Sequence, residues 1–99
     1  MDIINSNITG IQSLCRKHKV KSLFAFGSVL TNKFNAQSDI DLVVIFHDAE
    51  VTDSFVNFFD FQDALESLFD RKVDLVDYSS ITNHSFLQEV NTTRQLIYG

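Results

Sequence analysis

The sequence predicts an α/β domain of the α+β kind, a small β-sheet of about four strands with helices packed on it. Apolar, partly β-branched runs at 21–26, 38–46, 71–77 and 95–98 alternate with segments in which apolar residues recur every three to four positions. Those are the periods of strand and helix. The length of 99 residues fits one domain, 1–99, able to build a single core but marginal in stability without a partner or oligomer. With no proline and three glycines, no linker, low-complexity stretch or internal repeat divides it.

In chain order, the first helix is expected over about 5–19, with Ile4, Ile8, Ile11 and Cys15 on one face and Asn5, Ser6 or Thr9 as its cap. Arg16, Lys17, His18 and Lys19 crowd its last turn, where the helix dipole favours cations. The buried strand at 21–26 ends at Gly27-Ser28. The strand at 38–46 begins as alternation and becomes a continuous apolar run, so its far end is covered on both faces. A polar loop at 47–51 leads to Thr52 or Asp53, either of which can cap a helix reaching about residue 69. Its core-facing stripe is expected to be Phe55, Phe58, Phe61 or Gln62, Leu65, and Leu68 or Phe69. Val56 and Phe59 fall off that stripe. The arc is therefore wide, and it suits either a helix tucked between neighbours or a face covered by a partner or a second copy in a homo-oligomer. After the strand at 71–77, a last helix over about 83–90 and a terminal strand at 95–98 complete the chain.

Composition excludes several classes. A formal net charge of −5 opposes a nonspecific grip on nucleic acid, which relies on many Lys and Arg contacts to phosphate. No run approaches the ~20 apolar residues of a membrane span, and the start lacks the basic segment of a signal peptide, so a cytoplasmic, soluble protein is expected. Cys15, alone, has no internal disulfide partner and reads as a buried helix thiol. His18, His47 and His84 show no paired ligand spacing, which argues against structural zinc.

The chemistry lies between residues 24 and 44. A strand ending in Gly27-Ser28 offers backbone N–H groups to an anion of phosphate size. Asp39 and Asp41, two apart on a strand, point to the same face about 6 to 7 Å apart at Cα, while Ile40 points into the core. Two carboxylates so close need a cation, and hard oxygen donors favour Mg²⁺ or Mn²⁺. Asp74, the acidic residue between Val73 and Leu75, joins their face if its strand pairs beside theirs. Three carboxylates opposite a phosphate turn suit phosphoryl or nucleotidyl transfer with two metal ions about 3.5 to 4 Å apart.

Phe26-Gly27-Ser28, Ser38-Asp39-Ile40-Asp41-Leu42-Val43-Val44 and Lys72-Val73-Asp74-Leu75-Val76 together resemble the minimal nucleotidyltransferase (MNT) group of the polymerase-β-like superfamily, over nearly the whole chain. The resemblance implies a palm-like mixed sheet with Asp74 beside the acidic pair, a relation that the intervening helix alone leaves open. It also implies transfer of AMP from ATP to a hydroxyl, with Asp39, Asp41 and Asp74 holding two Mg²⁺ ions and Gly27 and Ser28 holding phosphates. Many relatives follow Gly-Ser with arginines, whereas here Val29-Leu30-Thr31-Asn32-Lys33 follows, so the basic contribution to nucleotide binding comes from Lys33, from elsewhere, or is absent. Such minimal enzymes often pair with a helical HEPN-type toxin, and some adenylylate a tyrosine of it. Two functions follow from different classes: an adenylyltransferase acting on a partner protein, and a non-catalytic nucleotide-binding antitoxin that neutralises its partner by occlusion. The complete triad favours the first, the absence of an acceptor-gripping domain the second.

Overall fold

The computed structural model describes residues 2–99, and four of its helices and four strands fall in the order α1 (Asp2–Ser6), α2 (Ile8–Lys17), β1 (Val20–Phe26), β2 (Ile40–Phe46), α3 (Ser54–Phe69), β3 (Val73–Asp77), α4 (His84–Thr93) and β4 (Gln95–Tyr98). The strands form one sheet ordered β3-β2-β1-β4. β1 runs antiparallel to β2 and to β4, while β2 and β3, joined through α3, are parallel. The sheet is thus mixed, as expected. Parallel neighbours require a long crossover, and the sixteen residues of α3 supply it.

Alternation along the strands divides the interior into two layers. Leu23, Ala25, Ile40, Leu42, Val44, Val73 and Leu75 face α2 and α3 and pack with Ile11, Cys15, Phe61, Leu65 and Phe69. Phe26 and Val43 face the other way and pack with Val90 of α4, with Phe24, Val76, Tyr78, Ile81 and Phe86 around them. This second layer is thin. It covers only part of its sheet face, and residues of the same strand parity near the start of β2 remain accessible.

Several local expectations need correction. The helix expected over 5–19 is two helices, because the chain turns at Asn7, whose side-chain amide donates to the Ile3 carbonyl (2.8 Å). Gly10 lies inside α2; a Cβ there would stand 2.8 Å from Leu68 Cδ1, so glycine allows α2 and α3 to approach closely. His18 does not join an exposed basic turn. It is buried against the Phe61 ring (5.3 Å between centroids), with Nδ1 2.8 Å from the Leu14 carbonyl oxygen.

Phe55 is also misassigned by the helical wheel. Asp53 caps α3 by accepting from the Val56 N–H (3.1 Å), as the sequence suggested, but Ser54, Phe55 and Val56 of the first turn are exposed. Phe55 is 73% exposed, and the buried stripe starts at Phe61 and continues through Leu65 and Phe69. Val56 and Phe59, placed off the stripe, are exposed. Cys15 is fully buried, and burial pushes its thiol pKa up to about 12, as befits a core residue. No helix among the described residues is long and apolar enough to cross a membrane.

Candidate active site

The site is assembled by strand register. In the parallel pair Ile40 lies opposite Val73 and Asp41 opposite Asp74; in the antiparallel pair Asp41 lies opposite Phe26, the last residue of β1. Ile40, Val73 and Leu75 are buried on the helix-covered face, so Asp41 and Asp74 project from the opposite one. Asp39 stands just before β2 with the same parity as Asp41. All three carboxylates thus reach one end of the sheet's more open face.

Their mutual field is visible in Asp41. Its carboxyl is raised above the usual carboxylate range, first by burial and then by the neighbouring negative charges of Asp74 and Asp39, while the Ser28 backbone amide pulls the other way. Asp39 is relieved differently. Lys72 Nζ stands 3.8 Å from Asp39 Oδ2, with both side chains largely exposed.

Gly27 packs directly on this cluster. It adopts a φ of +71°, and a Cβ built there would lie 2.5 Å from Asp41 Oδ2. Two demands coincide: a left-handed backbone and the absence of a side chain. The turn continues as a short 3-10 segment, Gly27–Leu30, closed by the Thr31 N–H and hydroxyl on the Ser28 carbonyl (3.0 and 2.9 Å). The Ser28 amide that the sequence offered to a phosphate is turned toward Asp41.

Lys33 is not brought to the carboxylates by any ion pair among the described residues; it sits in an exposed turn where its N–H donates to Thr31 Oγ1 (3.3 Å). The cation beside them is Lys72. Its signal was present, because Lys72 and Asp74 share strand parity. Arg71 was also missed: it donates to the carbonyls of Asn35 (3.2 Å) and Ser38 (3.1 Å) and stacks over Phe34 (4.7 Å), fastening the loop that delivers Asp39. That tie joins residues more than thirty apart, beyond the reach of any local pattern.

A cavity of about 330 Å³ opens beside Gly27, lined by Leu30, Thr31, Glu89, Thr93 and Gln95. A larger one of about 450 Å³, lined by Ile3, Val29, Phe34 and Arg71 among others, contains none of the three aspartates. Among the described residues, no group of three or more His, Cys, Asp or Glu side chains closes into a metal cage. The donor chemistry nevertheless fits a hard divalent cation: three carboxylates on one face, one of them, Asp41, raised above the usual carboxylate range by burial and then by the other two.

A four-stranded mixed sheet backed by helices, with acidic residues at adjoining strand ends and a Gly-Ser turn against them, defines a nucleotidyltransferase of the minimal kind. The chain belongs to the family described as Polymerase beta, Nucleotidyltransferase, which matches residues 9–99. It is 38% identical over 84 residues to a Methanocaldococcus jannaschii protein provisionally named a protein adenylyltransferase, covering 77% of this chain and 83% of that one. Among solved structures it resembles a chain from a toxin–antitoxin complex with AMP-PNP (TM-score 0.74, 29% identity, 94% of this chain and 73% of that one). It also resembles a chain from a tri-AMPylated Shewanella oneidensis HEPN toxin in complex with its MNT antitoxin (TM-score 0.68, 28% identity, 97% and 72%).

Proposed function

We propose that this chain is a metal-dependent protein adenylyltransferase that moves AMP from ATP onto a hydroxyl of a HEPN-type partner. The observation that carries the reading is the register placing Asp41 opposite Asp74 with Asp39 one residue before β2. The relatives support it: one is named for protein adenylylation, and another was solved with an AMPylated HEPN toxin.

In this reading Asp39, Asp41 and Asp74 hold Mg²⁺ or Mn²⁺, which when bound would neutralise charge on the triphosphate and make the acceptor hydroxyl easier to deprotonate. Asp74, exposed at the strand edge, is the group we assign to accept the acceptor's proton. The acceptor oxygen bonds to the α-phosphorus, the bond from that phosphorus to the bridging oxygen breaks, and pyrophosphate leaves with the electron pair. With the Ser28 amide engaged by Asp41, Gly27, bare of a side chain, lets the phosphates come up beside the carboxylates, and Lys72, swinging from Asp39, supplies positive charge to them in place of the missing arginines.

A second reading is favoured by the Lys72–Asp39 pair, which gives one carboxylate a protein cation: a nucleotide-binding antitoxin that acts by occlusion alone. Incubation with Mg²⁺, labelled ATP and a co-expressed HEPN protein separates the two. The enzyme adds the mass of one AMP or more to the partner, and Asp39→Asn or Asp41→Asn lowers that rate at least a hundredfold while far-ultraviolet circular dichroism is unchanged. An unlabelled partner, still neutralised by wild type and Asp74→Asn alike, would establish occlusion instead.

A further inference from the structure

We propose that the outward face of α3 is the docking site for a helix of the partner protein, one whose apolar ridge is flanked by Lys or Arg. This rests on the reading that the chain acts on a protein. Phe55, Val56 and Phe59 are 73%, 50% and 44% exposed, and the phenylalanine rings form a preassembled cluster: Phe55 and Phe59 lie 4.8 Å apart between centroids, and Phe58, half-buried, braces Phe59 at 5.1 Å. Contiguous apolar surface of this kind marks an interaction site. A groove of about 270 Å³ runs beside Val56, walled by Val51, Asn57, Asp53, Asp60 and Glu50 and on its other side by Lys17 and Lys19.

Charge selects the occupant. The residues of α3, SFVNFFDFQDALESLF, include three acids and no base. Glu66 is engaged by the Val73 N–H (2.9 Å), which leaves Asp60 and Asp63, one turn beyond Val56 and Phe59, to rim the patch. A second copy fits poorly. If two α3 helices met antiparallel about Phe59, each Asp63 would cover the other copy's Phe55; if they met parallel, Asp63 would face Asp63. Either arrangement sets Asp63 against apolar or like-charged surface of the other α3, and the bases at the patch, Lys17 and Lys19, line the groove beside Asp60, where Glu50 and Asp53 add to the acids that outnumber them. A foreign helix with Lys or Arg beside its apolar ridge supplies a cation to those acids and fills the groove.

The position also matters for function. Phe59 and Phe69 are separated by roughly 15 Å of helix, and the chain turns toward β3 and the carboxylates only after Phe69. A partner anchored on this face of α3 lies across the sheet from Asp41 and Asp74, which project from the opposite face, and leaves them uncovered.

The test uses the full chain with a co-expressed HEPN protein, measuring affinity by calorimetry at low and high salt. The double variant Phe55→Ser/Phe59→Ser is expected to weaken binding at least tenfold, and Asp60→Lys/Asp63→Lys to weaken it similarly and reduce its salt dependence. Both should keep wild-type circular dichroism and Mg²⁺-ATP affinity. Unchanged partner affinity in both variants, no complex with wild type, or a wild-type homodimer that the Ser variant dissociates would each overturn the proposal. Loss of AMP transfer with the complex intact would instead count against the catalytic reading.

Discussion

At the scale of single residues, Gly27 and Asp41 constrain one another. A side chain at 27 meets Asp41 Oδ2 while the backbone holds a φ of +71°, so Gly27→Ala is expected to cost about 2–3 kcal/mol, the left-handed penalty plus displacement of the carboxylate. Chemical denaturation would measure it. Asp41 itself should behave oppositely. Because its folded carboxyl is raised above its unfolded value, the native state binds the extra proton, and metal-free stability falls as pH climbs through the interval between the two values. Above that interval Asp41→Asn should therefore be the more stable protein, and the advantage should vanish in acid, where both side chains are neutral. A variant less stable than wild type at neutral pH without metal would show that the carboxylate contributes more than it costs. These residues were legible in the sequence because glycine, parity and charge are local signals. Lys72 was legible by the same parity, whereas Lys33 stands nearer in sequence to the Gly-Ser turn.

At the scale of elements, type and order follow from period, and the ends depend on neighbours. β4 at Gln95–Tyr98 and the Asp53 cap of α3 lie where the sequence puts them, because short polar caps and turns are decided within a few residues. The burial of His18 and the exposure of Phe55 depend on which surface the sheet offers, and no wheel contains that surface. α3 also ends without the usual glycine: Asp70 takes the left-handed conformation at φ 53°. Replacing it with glycine removes a steric cost of about 1–2 kcal/mol but adds about 0.5–1 kcal/mol of unfolded-chain freedom, so Asp70→Gly is expected to stabilise by about 0.5–1 kcal/mol. A thermal melt in the absence of metal checks this. A loss would mean that the Asp70 side chain has a role in the turn toward β3.

At the scale of the whole molecule, the strand order gathers negative charge where nothing in the metal-free chain fully balances it. The net charge is −5, three carboxylates share one end of the sheet, and the ion pair that reaches them among the described residues, Lys72 to Asp39, is exposed and so worth little in water. A divalent ion that binds the folded arrangement and not the open chain must then stabilise the whole domain by mass action. At tenfold excess over its dissociation constant the gain is about 1.4 kcal/mol, which for a domain of this size raises the melting temperature by roughly 6–11 °C. The comparison is a melt in EDTA against one in Mg²⁺, with NaCl at matched ionic strength to separate binding from screening. Wild type should respond to Mg²⁺ and not to NaCl, and Asp41→Asn to neither. An equal rise with NaCl would mean that the carboxylates are merely screened and that no cation is held, leaving Lys72 as the counter-charge among the described residues and the occlusion reading as the stronger account.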